Sequence, residues 1–169
     1  ENSAENDGGA IRNYEGEVEI GENNVFRENS AEWGGAIHNY RDMNIGNRNK
    51  FEENSAKYGG AIRNYKGKVE IGENNVFRGN SAENNGGAIY NYRNINIGNR
   101  NKFEGNSAGW GGAIYNYEGK VEIGENNVFR GNSAENDGGA IRNYEGELNI
   151  DKSKNTFIGN KPDDIYTGD

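Results

Sequence analysis

Six tyrosines recur in one setting of this chain. Tyr14, Tyr40, Tyr65, Tyr92, Tyr117 and Tyr144 each close the phrase Gly-Gly-Ala-Ile-x-Asn-Tyr. Tyr90 and Tyr115 add two more rings at the variable position, two residues before members of that series. A row of phenol rings on a flat face can stack on sugar rings or on the side chains of a partner. Ring-on-ring packing also stabilises neighbouring parallel strands with no partner at all. Trp33, Tyr58 and Trp110 each precede a Gly pair, where Asp7, Asn85 and Asp137 stand in other copies of the phrase. These aromatics read as turn packing, or as a partner site if they form an exposed cluster.

Other chemistry is thin. Cleavage of a polysaccharide needs a unique cluster of acids, often with calcium or a basic residue. Here the acids are spread in repeated, sign-alternating positions. His38, the one histidine, occupies the variable position that Arg and Tyr hold elsewhere, and reads as a solvent-facing residue. Asp163 and Asp164, beside the single proline Pro162, read as part of a capping tail rather than an ion site. No catalytic, cofactor-binding or metal-ligating residue is assigned.

The elements that must carry the tyrosines follow from a repeat. The Gly pairs begin at Gly8, Gly34, Gly59, Gly86, Gly111 and Gly138, at steps of 25–27 residues. A second marker, Phe26, Phe51, Phe77, Phe103, Phe129 and Phe157, is followed three residues later each time by Asn. Between the two lies an alternating piece such as Val18-Glu19-Ile20. Alternation over three to five residues is the mark of a strand. Gly16, Gly21 and the Asn-Ser-Ala-Glu-Asn-Asp segment supply breaks. Three short strands per 25–27 residues describe a parallel β-helix, a solenoid of about six three-stranded coils. The crossover rule favours a right-handed one. A left-handed hexapeptide coil, a leucine-rich repeat and a calcium-binding nonapeptide roll each fail on period or on residue type. At about 4.8 Å per coil the rod is roughly 25–30 Å long. The repeats run over residues 1–160, with 161–169 as a C-terminal tail or cap.

Composition agrees with a thin core drawn out along an axis. Of 169 residues 31% are hydrophobic, 27 are Gly and one is Pro. Inward columns are Ile11 and its equivalents, the Phe series, and Val18 and Ile20 with theirs. Three Asn columns, beginning at Asn13, Asn24 and Asn29, can satisfy themselves along the axis, since each amide both donates and accepts. Outward positions alternate from coil to coil: Glu19, Asn44, Glu70; Arg27, Glu52, Arg78; Val25, Lys50, Val76. The true repeat is therefore a two-coil unit of about 52 residues. Like charges stacked about 4.8 Å apart would repel by on the order of 1 kcal/mol even in water, and alternation turns them into Arg–Glu neighbours.

Gly-Gly-Ala-Ile and Phe-x-x-Asn in tandem resemble the repeats of chlamydial polymorphic outer-membrane proteins and the wider class of right-handed β-helix surface proteins. All six copies of both motifs are present. The resemblance implies an extracellular or cell-surface location and a passenger domain concerned with adhesion and self-association. The chain differs from that pattern in having no Cys, in its near-identical coils and in carrying no C-terminal barrel.

The net charge of −8 argues against nucleic acid as a partner. No apolar run approaches a membrane span. The absence of an Asn-x-Ser/Thr sequon fits a prokaryotic source. The chain opens inside a repeat, as a piece of a longer protein would. The expected function is a non-enzymatic structural or adhesion-type segment, a rigid rod presenting repeated side-chain columns to a protein or polysaccharide at a cell surface. The alternative is a carbohydrate-binding or polysaccharide-degrading β-helix with glycan along the Tyr face. End-to-end self-association through the first coil is a third expectation.

Overall fold

The computed structural model describes residues 1–168. The chain winds as a parallel β-solenoid, and every strand pairing is parallel. One face is a seven-stranded sheet: Ile11–Asn13, Ile37–Asn39, Ile62–Asn64, Ile89–Asn91, Ile114–Asn116, Ile141–Asn143 and Ile165–Thr167, in that order. A second face stacks six strands from Val18–Ile20 to Glu147–Ile150, and a third stacks six from Val25–Arg27 to Thr156–Ile158. Residues 161–168 thus add a strand to the first face.

The register holds residue to residue. Ile11 pairs Ile37, Val18 pairs Met43, and Phe26 pairs Phe51. Identical side chains therefore stack along the axis. The phenyl rings of Phe26 through Phe157 lie 4.8–4.9 Å apart and within 6° of parallel. That spacing is the coil rise itself. Ile37, Ile62, Ile89, Ile114, Ile141, Phe51, Phe77, Phe103 and Phe129 are all fully buried. Each contributes about 1.5–3 kcal/mol by leaving water.

A fourth, short sheet lies where the sequence reads as a break. Ser55–Tyr58, Ser81–Asn85, Ser107–Ala108 and Ser133–Ala134 pair in parallel. Ser, Asn and Asp favour turns locally, but the in-register neighbour coil supplies ladder partners and draws the segment into a strand.

The Gly pair between this segment and the first face has two separate causes. Gly59 has φ +68°, which disfavours any side chain, and a Cβ there would stand 2.3 Å from the Ile62 carbonyl oxygen. A Cβ on Gly60 would stand 2.1 Å from the carbonyl oxygen of Gly87, one coil away. The first Gly makes the corner, and the second lets adjacent coils approach.

The Asn columns are hydrogen-bonded ladders. In the first, Asn13 donates to Asn39, Asn39 to Asn64 and Asn64 to Asn91, at 2.8–3.1 Å. In the third, Asn80 Oδ1 accepts from both the backbone N–H and the side-chain amide of Asn54, while Asn80 Nδ2 donates to Asn106 and to the Phe51 carbonyl. The second ladder differs beyond its first step: Asn75 Oδ1 accepts the backbone N–H of Asn49 alone, and Asn49 Nδ2 donates to the Gly21 carbonyl. Asn75 Nδ2 and Asn127 Nδ2 in that column are buried with no partner.

Candidate functional site

The six tyrosines of the Gly-Gly-Ala-Ile-x-Asn-Tyr phrase form one unbroken stripe on the outside of the first face. Successive ring centroids are 4.9–5.4 Å apart, from Tyr14–Tyr40 through Tyr117–Tyr144. Four of the five neighbouring pairs meet edge-on or tilted, and Tyr117–Tyr144 is stacked. Tyr14 is exposed, and the other five are half-buried against their neighbours. The stripe therefore offers ring edges and hydroxyls more than broad ring faces.

The variable position differs from its expectation. It does point away from the Ile column, but only Arg12, in the first coil, is open to solvent. His38 is fully buried, Tyr90 and Tyr115 are 3% and 6% exposed, Arg142 is 4% and Arg63 is 9%. Tyr90 and Tyr115 thus lie beneath the outer surface, with Tyr90 at the floor of a cleft, and His38 is not a surface residue. A second layer covers them. On one side runs the Tyr stripe, and on the other the column that precedes the Gly pairs: Asp7, Trp33, Tyr58, Asn85, Trp110, Asp137. Tyr58 stacks on Tyr90 at 5.6 Å, Tyr90 meets Tyr92 at 4.9 Å and Tyr115 at 5.3 Å. Burial pushes the Tyr115 hydroxyl up to about 12, and burial with a hydrogen bond to Tyr92 pushes Tyr90 up as well. Neither ionises near neutral pH.

The layer holds charge as well as rings. His38 Nδ1 lies 2.5 Å from Asp7 Oδ1, and Arg63 Nη1 lies 2.5 Å from His38 Nε2. A guanidinium only donates, so Nε2 is the acceptor and Nδ1–H donates to Asp7. The imidazole is therefore neutral, and burial, reinforced by the Arg63 charge, pushes its pKa down to about 4. Asp7 Oδ2 is also ion-paired with Arg12, 2.9 Å from its Nε. At the other end of the rod Arg142 Nε stands 3.9 Å from Asp137 and Nη1 donates to the Gly168 carbonyl at 2.5 Å. A five-residue spacing of Asp and Arg, Asp7 to Arg12 and Asp137 to Arg142, is the sequence signal that could have shown this layer.

The remaining charges pair between coils across the outer faces. Arg27 binds Glu52, Arg78 binds Glu104 at 2.9 Å, and Arg48 and Arg100 bind Glu22 and Glu73. Most of these groups are about half exposed, so each pair adds little stability by itself. Asp163 accepts from the backbone of Gly138 at 2.8 Å, and Asp164 accepts from Asn160 at 3.0 Å. Among the described residues no group of three or more His, Cys, Asp or Glu is placed to hold a metal ion, and no helix is long and apolar enough to cross a membrane.

Four stretches, residues 25–40, 76–92, 102–117 and 128–144, match the model of the Chlamydia polymorphic membrane protein (Chlamydia_PMP) repeat. Each runs from a Phe-containing strand through the Ser-Ala segment and the Gly pair to the tyrosine of the next coil. Neither a curated protein nor a solved structure matches the chain.

Proposed function

We propose that this chain, which carries Chlamydia polymorphic membrane protein repeats at four positions of its solenoid, is a non-enzymatic rod segment of a cell-surface protein that holds an adhesive surface away from its anchor. The observation that carries this reading is the residue-to-residue register of the three long sheets over the whole stack. A structure that spends its acids on coil-to-coil ion pairs and its amides on axial ladders is built for length and stiffness. Catalysis needs one place unlike the rest, whereas here the outward acids sit opposite Arg, Lys or Asn of the next coil. Repetition also suits adhesion: weak contacts repeated along the Tyr stripe add up once one has formed.

Displaying the chain on a bacterium that does not otherwise adhere tests the reading. Attachment to cultured cells or to a glycan-coated surface should rise, and Tyr40→Ala, Tyr65→Ala and Tyr92→Ala together should lower it. Attachment equal to that of the undecorated bacterium refutes the adhesive part. Small-angle scattering of a chain in which the two-coil unit 79–130 is duplicated several times tests the rod part: the longest dimension should grow by about 10 Å per added unit at an unchanged cross-section, and growth in all directions refutes it.

A further inference from the structure

In the outer layer each arginine but one has a carboxylate. Arg12 binds Asp7, and Arg142 faces Asp137. Arg63 occupies the same position in the third coil, but Tyr58 stands where the Asp would be. Arg63 as a whole is 9% exposed, and its guanidinium reaches no Asp or Glu among the described residues. The nearest acid of the network, Asp7, is engaged by His38 and Arg12. Arg63 Nη1 meets a neutral imidazole, and Arg63 Nε, like Arg142 Nε, is buried with no hydrogen-bond partner; what sets Arg63 apart is that no carboxylate lies within 4 Å of its guanidinium. A buried, unpaired charge is costly, and an unpartnered donor on it adds to that cost.

The position opens on a cleft. Trp33, Tyr58, Arg63, Asn85, Tyr90 and Tyr92 enclose about 380 Å³. In the column Trp33, Tyr58, Asn85, Trp110, the small amide of Asn85 stands between two aromatic residues and fills less space than a ring would. The guanidinium sits 5.3 Å from the Trp33 ring centroid, 4.6 Å from Tyr65, 5.5 Å from Tyr92 and 5.9 Å from Tyr90. Aromatic walls, an amide and one cation without a counter-ion therefore converge at one place on the rod.

We propose that this cleft binds a pyranose carrying a single carboxylate, its ring against the aromatic walls and its carboxylate on Arg63. Aromatic walls suit the C–H face of a sugar, and the amide of Asn85 can bond its hydroxyls. A carboxylate is the anion a guanidinium holds best in the low-dielectric setting of the cleft. The net charge of −8 repels a dense polyanion, so one isolated acid fits better than a highly charged chain. This site stands apart from the adhesive rod reading: a cleft that binds no sugar leaves the rod intact, and a rod that does not adhere leaves the cleft intact.

Titration of the whole chain with methyl β-glucuronide and with methyl β-glucoside, followed by saturation-transfer NMR, tests it. The acid sugar should bind at least about tenfold more tightly, the value of one charge-assisted hydrogen bond. Tyr58→Asp restores the Asp–Arg pairing seen at Arg12 and Arg142, so it should keep the fold and lower glucuronide affinity about tenfold or more. Asn85→Trp completes the aromatic column and should block the cleft without touching Arg63. Equal binding of the two sugars, no binding of glucuronide at tens of millimolar, or full binding to both variants overturns the proposal. So does tighter binding of an N-acetylated glutamyl dipeptide than of glucuronide, which would make the occupant an acidic peptide.

Discussion

His38 lies between Asp7 and Arg63 in a place that holds it neutral, and this has a pH signature. Its pKa is about 4 in the fold against about 6.5 unfolded. Between those values the unfolded chain binds more protons, so stability falls as pH drops from 6.5 towards 4 and is flat for this group above 6.5. The full effect, reached only below the folded-state value, is on the order of 3 kcal/mol. Urea melts between pH 4 and 7 should show this slope, and His38→Gln should remove it while leaving the carboxylate contribution in place. Asn80 tests the ladders at the same scale. Asn80→Leu removes the acceptor of the Asn54 backbone N–H and of one of the two Asn54 amide hydrogens, and removes the amide donor to the Phe51 carbonyl, at a cost of about 3 kcal/mol. A melting temperature within a degree of the parent would mean that the ladder does not hold the coils together.

At the scale of the element, the turn after each Phe strand takes a left-handed residue. Gly79, Gly105, Gly131 and Gly159 have φ of +60° to +63°, and Glu28 and Glu53 hold the same place at +52° and +57°. Glutamate pays for that backbone while glycine does not. Glu53→Gly should raise stability by up to about 1 kcal/mol, and Gly105→Glu should lower it by a similar amount, both read from thermal melts. The strands themselves were legible in the sequence, because parallel in-register stacking turns each alternating triplet into columns that repeat by eye. Ile11, Val18, Phe26 and Asn13 all face the side their alternation assigns. The fourth sheet was not legible, because Ser81 to Asn85 carry turn formers whose strand pairing comes only from the neighbouring coil. Nor was the burial of Tyr90, Tyr115 and His38. Period-two alternation says which side of a sheet a residue takes, not what lies over that side, and here Trp33, Tyr58 and the Tyr stripe cover it.

For the whole molecule, the two-coil unit makes parity a structural property. Deleting residues 79–130 joins Arg78 to Gly131 and removes two coils, so every outward column keeps its alternation. Deleting residues 79–104 removes only one, and sets Arg78 against Arg130 and Glu70 against Glu122. The shorter deletion keeps more of the rod, yet its stability should rise steeply with salt, since screening relieves like-charge contacts. The longer deletion should respond to salt as the parent does. Melts at low and high sodium chloride separate the two, and an identical response would mean that charge alternation does not set coil order.

The hydrogen bonds of all four sheets run from coil to coil, along the axis of the rod, while the covalent chain runs around it. Tension between the two ends therefore falls on the ladders of the outermost coil first. That coil peels away alone, releasing about 26 residues of slack before the next is loaded. A tether of this kind yields in small equal steps under a pull and leaves the coils behind the break still wound. Sideways load meets the backbone instead, so the same stack gives way lengthwise and holds crosswise.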